Sequence, residues 1–372
     1  MKIVAIFHDN DIYSGATRSF LSIVKYLHNE GVCIYAVIPN KNGDLAEYLN
    51  SLGIKVVRGI YGGNTYQKSS NGIINFCRYF KGIIKLIISF IWCIYIFLHL
   101  RNKGVSWIYT NTSTLYVGAF LSDMLGVKHI WHFREFGVLD QGFSRIIPRL
   151  FVYLAKRAKK IIVISNVLKD FYKKEFDISD NVNMIYNDVM DGGEIEHEEH
   201  TGLNILITGT ISIGKGQKIA IDAMKIINDN NVKLFVAGKI NGYAKELIKY
   251  VEKEKIKNVK FCGFVKDMDS LRRKIDVSLV CAKSEAFGRT IIEDMASRIL
   301  VIGNNSGSVP ELISTNRGVI FRENDPRDLA KRLVQIKENP KDIIRFIDAA
   351  YDFSTEFKKN RCASEVYKIL MQ

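Results

Sequence analysis

The chain alternates short apolar runs with patterns of helical spacing, and it starts this alternation twice. KIVAIFHDNDIYSGATRSFLSIV near the N-terminus and NILITGTISIGKGQKIAIDAM from Asn204 each contain an apolar run, a loop with glycine and a helical pattern. This alternation is typical of a parallel sheet with crossover helices. We therefore predict an α/β protein with two doubly wound, Rossmann-like domains facing across a cleft. Ligands of such sheets bind beyond the carboxyl ends of the strands.

The predicted boundary between the two domains is the acidic stretch DGGEIEHEEH, which has almost no large apolar residue. The sequence predicts an N-terminal domain over 1–190, a linker over 191–201 and a second domain over 202–355. A last helix over 356–372 is expected to cross back to the first domain. His197 and His200 could bind a metal ion, but a solvated linker is the favoured interpretation.

The charge of the 372 residues is +14 at pH 7, and +10 of it lies before Asp191. A surplus of this size favours an anionic partner, such as a membrane surface, a nucleic acid or a phosphorylated ligand. The chain shows no nucleic-acid recognition module, so nucleic acid is not expected. Six scattered cysteines without a CxxC pair indicate buried thiols in a reducing compartment. The N-terminus has the pattern of a strand rather than a signal peptide, which predicts a cytoplasmic protein.

Two segments of the first half indicate contact with a membrane. Leu86–Leu98 is almost wholly apolar and is flanked by lysine and arginine. It is shorter than the roughly 20 residues of a spanning helix, so a core helix or one that dips into the membrane is favoured over a spanning helix. Ser144–Lys160 has six basic residues and no acidic one, and it predicts a basic amphipathic helix. We therefore expect an anionic membrane surface as a partner, on the inner face of the cell membrane.

The segment Lys283–Glu293, KSEAFGRTIIE, contains the strongest functional pattern. A predicted strand ends in a polar loop with Glu285, and Phe287 and Gly288 lead directly into a helix that carries Glu293. Backbone N–H groups at a helix N-terminus suit a phosphate group. A carboxylate one turn later can accept hydrogen bonds from ribose hydroxyls. Two glutamates at this spacing are also common on solvated helices.

A second pattern, Gly209–Gln217, follows a strand and opens a helix. Lys215 can neutralise a diphosphate there, and Gly214 and Gly216 permit close approach of the backbone. The full GxxxxGK[ST] spacing is missing, and Gln217 replaces the hydroxyl that binds magnesium, so an ordinary P-loop is not expected. A surface turn with a solvated lysine is the alternative interpretation.

Together these patterns resemble a known family. GTISIGKGQ, SEAFGRTIIEDM and SGSVPELI, in this order, look like the donor-binding domain of glycosyltransferase family 4, the retaining group 1 glycosyltransferases of the GT-B fold. The first half adds WHFRE at Trp131–Glu135 and the loop around Gly15. The resemblance implies that the first domain binds the acceptor and the second a nucleotide-diphosphate sugar. A UDP-sugar is favoured, and neither a cofactor nor a metal ion is implied.

The resemblance also implies roles for single residues of the second domain. Glu293 would bind the ribose, Lys215 the diphosphate, and Glu285 would lie beside the hydroxyls of the donor sugar. The backbone of Phe287 and Gly288 would face the sugar and the phosphate.

Two further roles fall in the first domain, and two positions depart from the family pattern. His132 looks like the histidine that contacts the donor sugar, and Gly15 like the loop that closes on the phosphates. Many members have arginine where Thr210 stands in the donor site, and Arg289 could supply the missing charge. Together with Glu285 and Lys215, His132 makes up the predicted catalytic set.

The predicted function is that of a metal-independent, retaining hexosyltransferase. It would transfer a sugar to a saccharide acceptor, lipid-linked and on the membrane side, in bacterial surface polysaccharide biosynthesis. Two alternatives stay open: a non-catalytic GT-B scaffold that binds a sugar nucleotide, and a GT-B epimerase of sugar nucleotides. Asp9-Asn-Asp11 imitates a DxD metal motif, but it follows the first strand instead of a late one, so metal binding is not expected there.

Overall fold

The computed structural model describes residues 1–189, 194–314, 316–357 and 359–372. They divide into unit 1, Met1–Asp188 with Asn360–Gln372, and unit 2, Val189–Lys359. The predicted domain end at 190 and the first residues of the predicted linker lie outside the described residues. The chain passes from unit 1 to unit 2 after Asp188 and returns at Asn360.

Unit 1 contains nine strands among its described residues: seven form one sheet with helices on both faces, and two short ones form a separate antiparallel pair. Its strands are β1 (Lys2–Ile6), β2 (Cys33–Pro39), β3 (Lys55–Gly59), β4 (Thr65–Gln67), β5 (Trp107–Asn111), β6 (Lys128–Phe133), β7 (Phe143–Arg145), β8 (Lys160–Val163) and β9 (Val182–Met184). Its helices are α1 (Gly15–Asn29), α2 (Leu45–Ser51), α3 (Gly72–Leu100), α4 (Val117–Leu125), α5 (Val138–Gln141), α6 (Pro148–Arg157), α7 (Asn166–Phe176) and the C-terminal helix (Arg361–Leu370).

The strands of this sheet run in the order β3-β2-β1-β5-β6-β8-β9, and all pairs are parallel. Strands buried on both faces are apolar without alternation, and β1 has no exposed side chain from Ile3 to Ile6. The C-terminal helix packs on α1 and places Cys362, Ala363 and Val366 in the core on one face of the sheet. The order reverses between β1 and β5, so the loops after these strands leave the same edge at a point where ligands can bind.

Unit 2 repeats this plan with six strands. They are β10 (Leu203–Thr208), β11 (Val232–Ala237), β12 (Val259–Gly263), β13 (Val277–Val280), β14 (Leu300–Asn304) and β15 (Val319–Phe321). The helices are α8 (Gln217–Ile227), α9 (Gly242–Lys253), α10 (Met268–Arg272), α11 (Arg289–Ala296), α12 (Val309–Ile313), α13 (Pro326–Glu338) and α14 (Ile344–Ser354), with 3₁₀ turns at Ile213–Lys215, Pro340–Ile343 and Thr355–Phe357.

The strand order β12-β11-β10-β13-β14-β15 is again parallel throughout, with its reversal between β10 and β13. The prediction of two doubly wound, Rossmann-like α/β units is therefore confirmed. Each unit has its own apolar core, since strands, crossover helices and their buried side chains belong to one unit at a time.

The prediction of one basic amphipathic helix over Ser144–Lys160 is wrong in its bounds, because a basic helix with a buried apolar side covers only Pro148–Arg157. The segment begins in β7, which pairs with β4 in antiparallel fashion, and the helix α6 occupies only its middle. Arg145 is not available to lipid, because it donates to the Ser113 carbonyl and stacks 3.6 Å from the centre of the Phe151 ring. Lys156 and Arg157 form ion pairs with Asp177 and Asp123. The strand β7 and the turn after it shorten the helix, and the ion pairs occupy two of its basic side chains.

The apolar run Leu86–Leu98 is part of α3. Among the described residues, α3 is the one helix long and apolar enough to cross a membrane. Of its 29 residues only five are buried, so it is not a core helix.

Candidate active site

The loops after β10 and β13 contain the predicted donor site of unit 2. Because β10 and β13 are neighbours, their following loops lie side by side at the carboxyl edge of the sheet. Lys215 ends the 3₁₀ turn after β10, and its Nζ donates to Glu285 Oε2 over 2.6 Å. The lysine side chain is 41% exposed and the glutamate 17%, so the pair lies at the surface of unit 2, within reach of solvent. The structure therefore brings together two of the predicted catalytic residues.

Close packing of the backbone fixes the two loops against each other. Gly216 has a φ of +71°, and a Cβ there would stand 2.1 Å from the Cys281 carbonyl oxygen. Gly307, in the loop after β14, also lies close to Glu285, since its Cβ would be 2.5 Å from the glutamate backbone nitrogen. The Ser308 N–H donates to the Glu285 carbonyl over 2.8 Å. Both positions need glycine, and together they hold Lys215 and Glu285 in place.

The predicted phosphate site is the first turn of α11. Gly288 is the residue before the helix, and Arg289 is its first residue. Phe287 is buried, with its ring 6.0 Å from that of Phe357, and Ser308 Oγ donates to the Phe287 carbonyl over 2.9 Å. The helix begins four residues after Glu285. Its free N–H groups and the positive end of its dipole suit an anion.

Glu293 lies on α11 one turn after its start, and two arginines contact it. Arg272 Nη2 donates to Oε2 over 2.9 Å, and Arg289 Nη2 lies 3.4 Å from Oε1. Arg289 thus forms an ion pair with Glu293 one helical turn later. The Glu293 side chain is 25% exposed. The carboxylate is therefore held in one orientation and stays open to solvent.

Arg272 was not predicted from the sequence. It is buried and also donates through Nε to Asp294 Oδ1 over 2.8 Å, while Ser278 Oγ donates to Oδ2. Burial raises the pKa of Asp294 against the opposing charge of Arg272. Burial lowers the pKa of Arg272, but the charges of Asp294 and Glu293 outweigh this and raise it. The sequence has no local pattern for Arg272, since its partners lie 21 and 22 residues away.

Thr210 and Gln217 shape the loop after β10. Gln217 is buried, accepts from the Ser212 N–H and donates to the Thr210 carbonyl over 3.1 Å. Gln217 therefore has a structural role in this loop. The side chain of Thr210 is exposed beside it.

His132 is the next-to-last residue of β6 in unit 1 and is fully buried. Its Nδ1 lies 2.8 Å from the Tyr109 hydroxyl and 3.2 Å from Arg134 Nη2. A guanidinium can only donate, so Nδ1 accepts and the proton is assigned to Nε2. Burial, with the charge of Arg134, holds the pKa of His132 well below its ordinary value. Nε2 has no hydrogen-bond partner among the described residues, which leaves a buried neutral donor.

A buried polar network surrounds His132. Arg134 Nε donates to Asn111 Oδ1 over 2.6 Å, and its Nη1 donates to Asn187. Ser113 donates to Glu135 Oε1 through both N–H and Oγ, over 2.7 Å each. Burial raises the pKa of Glu135 to about 7, although the hydrogen bonds from Ser113 oppose the shift. The WHFRE motif pointed to this region, but the partners on β5 and after β9 could not be found from sequence.

Gly15 is the first residue of α1, after the loop that follows β1. The space where a Cβ would stand is open to at least 4 Å in the described residues. In the same loop Asn10 is buried and donates to the carbonyls of Lys41 and Gly43. Asn10 of the DxD-like triplet thus connects this loop to the turn after β2.

The two histidines of the predicted linker belong to unit 2 and contact other residues of it. His197 Nε2 lies 2.8 Å from the Ser297 carbonyl, and His200 Nε2 lies 3.4 Å from Asp276 Oδ1. Among the described residues no three His, Cys, Asp or Glu side chains are grouped as metal ligands.

Comparison with known proteins finds a family whose model matches part of unit 2. Residues 194–353 match the family described as "Glycosyl transferases group 1". An uncharacterized glycosyltransferase of Methanocaldococcus jannaschii is 27% identical over 256 residues, which cover 68% of this chain and 71% of that protein.

Solved structures share the fold over the whole chain. HepE of Anabaena, crystallised with UDP and glucose, has a TM-score of 0.79 at 19% identity and covers both chains fully. The lipopolysaccharide outer core galactosyltransferase WaaB has a TM-score of 0.74 at 13% identity, covering 100% of this chain and 99% of its own. Unit 2 is thus similar to the group 1 glycosyl transferases, and the whole chain shares the GT-B fold of these solved structures.

Proposed function

We propose that the chain is a retaining hexosyltransferase that uses a nucleotide-diphosphate sugar. The observation that carries the proposal is the grouping of Lys215, Glu285 and the first turn of α11 at one edge of the unit 2 sheet. Negative charge develops on the departing diphosphate in the transition state, and preorganised positive groups stabilise it most. The Lys215 ammonium and the N–H groups of α11 are such groups. The proposed reaction takes its charge compensation from them and not from a metal ion.

UDP is the proposed nucleotide. HepE has been crystallised with UDP-glucose, and its fold is that of this chain. Glu293 would accept hydrogen bonds from the two ribose hydroxyls, for which the carboxylate is already oriented by Arg272. Glu285 would turn from Lys215 to the hydroxyls of the sugar once the diphosphate binds the lysine.

His132 is the proposed sugar contact of unit 1. Its Nε2–H would donate to a hydroxyl of the donor sugar, because Nδ1 accepts from Arg134 and leaves the proton on Nε2. Gly15 would let the start of α1 approach the phosphates. The departing phosphate would assist deprotonation of the acceptor on the same face of the sugar, which retains the anomeric configuration.

The proposed acceptor is a saccharide, lipid-linked and on the membrane side, in the biosynthesis of a bacterial surface polysaccharide. The charge of +10 before Asp191 favours an anionic surface, and WaaB is by its name an enzyme of lipopolysaccharide synthesis. The corresponding location is the cytoplasm, peripheral on the inner face of the cell membrane.

Thermal unfolding with UDP, GDP, ADP and CMP tests the donor site. A ligand at a hundredfold excess over its Kd stabilises the native state by about 2.7 kcal/mol, so the true nucleotide stands out. We expect UDP to raise the Tm of the wild type and not that of Glu293→Ala. Glu246→Ala, on the exposed side of α9, is the control and keeps the UDP shift.

Transfer from the stabilising UDP-sugar is then measured with Glu285→Gln. We expect this variant to bind UDP and to lose transfer, whereas NMR of the wild-type product shows the donor's anomeric configuration. A folded wild type that no nucleotide stabilises would support the scaffold alternative. Conversion of the donor without any acceptor would support the epimerase.

A further inference from the structure

The helix α3 leaves most of its large apolar side chains exposed. The side packed on unit 1 carries Gly82, Ser89 and Cys93 among its five buried residues, whereas large apolar side chains face solvent. Exposure is between 41% and 58% for six of the apolar side chains on the outer side: Ile84, Ile87, Phe90, Ile91, Ile94 and Leu98. An apolar surface of this extent marks a site of interaction with a protein or a membrane.

The packed side fixes α3 along unit 1 and excludes a spanning orientation. The Gly62 N–H donates to Ser89 Oγ, and the Cys93 thiol lies 3.5 Å from the Val117 carbonyl oxygen. A Cβ on Gly82 would be 2.7 Å from Ile146 Cδ1, so the helix and the loop after β7 are in direct contact. α3 is packed on unit 1 from Gly82 to Leu100. If it crossed the hydrocarbon region, the polar backbone of the neighbouring loops would have to enter the membrane with it. It can lie in the plane of the interface.

Charge identifies the surface that α3 would meet. From Tyr48 to Ser122 the chain has no Asp or Glu but eight Lys and Arg. Arg78, Lys81 and Lys85 are spaced three and four residues apart, which places them along one side of α3, at the border between its packed and exposed sides. From there their long side chains can reach a layer of anionic groups while the apolar side chains enter the layer beneath. A second copy of this region would oppose basic residues with basic residues.

We propose that α3 docks unit 1 on an anionic lipid bilayer, with its exposed apolar side at the boundary of headgroups and acyl chains and its axis in the membrane plane. The proposal deepens the proposed function, on which its acceptor side rests: a lipid-linked acceptor would then be presented to unit 1 from the surface on which α3 lies.

Flotation of the full chain with lipid vesicles tests this proposal. We expect the wild type to float with vesicles of phosphatidylcholine and phosphatidylglycerol and to bind pure phosphatidylcholine at least tenfold more weakly. Ile91→Asp, on the exposed side of α3, is expected to lose at least tenfold in binding to the anionic vesicles. Ile344→Asp in unit 2 is the matched control, since Ile344 is 56% exposed and Ile91 58%.

The basic side has its own matched pair of variants. Lys81→Glu with Lys85→Glu is expected to abolish the preference for anionic vesicles, whereas Lys245→Glu with Lys249→Glu, the same spacing on α9, retains it. Equal binding by Ile91→Asp and the wild type would overturn the proposal. The proposal would also be overturned if the wild type is a dimer in sedimentation velocity, Ile91→Asp is a monomer, and neither protein binds vesicles. The rise in Tm that UDP causes in Ile91→Asp separates the membrane proposal from the proposed function, because this rise reports on the donor site alone.

Discussion

Arg272 shows how one buried side chain prepares a surface carboxylate for a ligand. Its planar guanidinium contacts Asp294 inside unit 2 and Glu293 at the surface at the same time. Burying an arginine requires such partners, because an unpaired buried charge is strongly unfavourable. The result is that a buried arginine, and not solvent, sets the orientation of the Glu293 carboxylate.

At this scale we predict that Arg272→Lys impairs nucleotide binding. A lysine keeps the charge but has no planar fork, so it cannot hold Glu293 and Asp294 together. We expect the UDP Kd to rise about tenfold and the free energy of unfolding to fall by about 2 kcal/mol. Titration calorimetry and chemical denaturation measure the two effects. Arg273→Lys, at the exposed neighbouring position, is the control for both. A destabilised Arg272→Lys with wild-type affinity would restrict Arg272 to a structural role.

At the scale of elements, the sequence predicts the repeated strands and helices of the two sheets. It does not predict very short strands or the side of a helix that packs on its neighbours. The alternation of apolar runs and helical patterns predicted both parallel sheets, because strands buried on both faces have a composition visible in the chain. The three-residue strands β4, β7 and β9 have no periodic pattern, so they were not predicted. The pattern of α3 gave its apolar character, but only the packing of Gly82 and Ser89 shows which side faces unit 1.

The same reasoning explains the donor site. Lys215, Glu285 and Glu293 belong to contiguous motifs after strands, and a motif can be found in one sequence. Arg272 depends on partners that lie on another helix, and the Arg134 network depends on neighbouring strands, which only the fold brings together.

The C-terminal helix is the element whose contribution to unit 1 can be measured directly. Val366 is fully buried between this helix and α1, in the same core as Trp107. We predict that Val366→Ala lowers the free energy of unfolding of unit 1 by about 2 kcal/mol, because a buried cavity replaces the lost methyl groups. Denaturation followed by tryptophan fluorescence measures it. Lys368→Ala, exposed on the same helix, is expected to change stability by less than about 0.5 kcal/mol. Equal effects of the two would mean that the helix is not packed on α1.

At the scale of the whole molecule, two separate cores predict that unfolding is not a single two-state transition. The three tryptophans, Trp92, Trp107 and Trp131, all lie in unit 1, whereas Lys215, Glu285 and Glu293 lie in unit 2. Tryptophan fluorescence therefore follows unit 1 alone, and far-ultraviolet circular dichroism follows both units. This separation of probes lets one experiment show where a nucleotide acts.

We predict that UDP shifts the circular dichroism transition upward while the tryptophan transition moves by less than half as much. The reason is mass action: a ligand stabilises the unit whose native state binds it, and UDP without its sugar leaves His132 without a partner. Both probes are recorded in one thermal or urea titration, with and without UDP. Glu293→Ala is the control, since UDP should move neither transition in that variant. Equal shifts of both probes in the wild type would show that the units unfold as one cooperative block, with the energy of nucleotide binding shared between them.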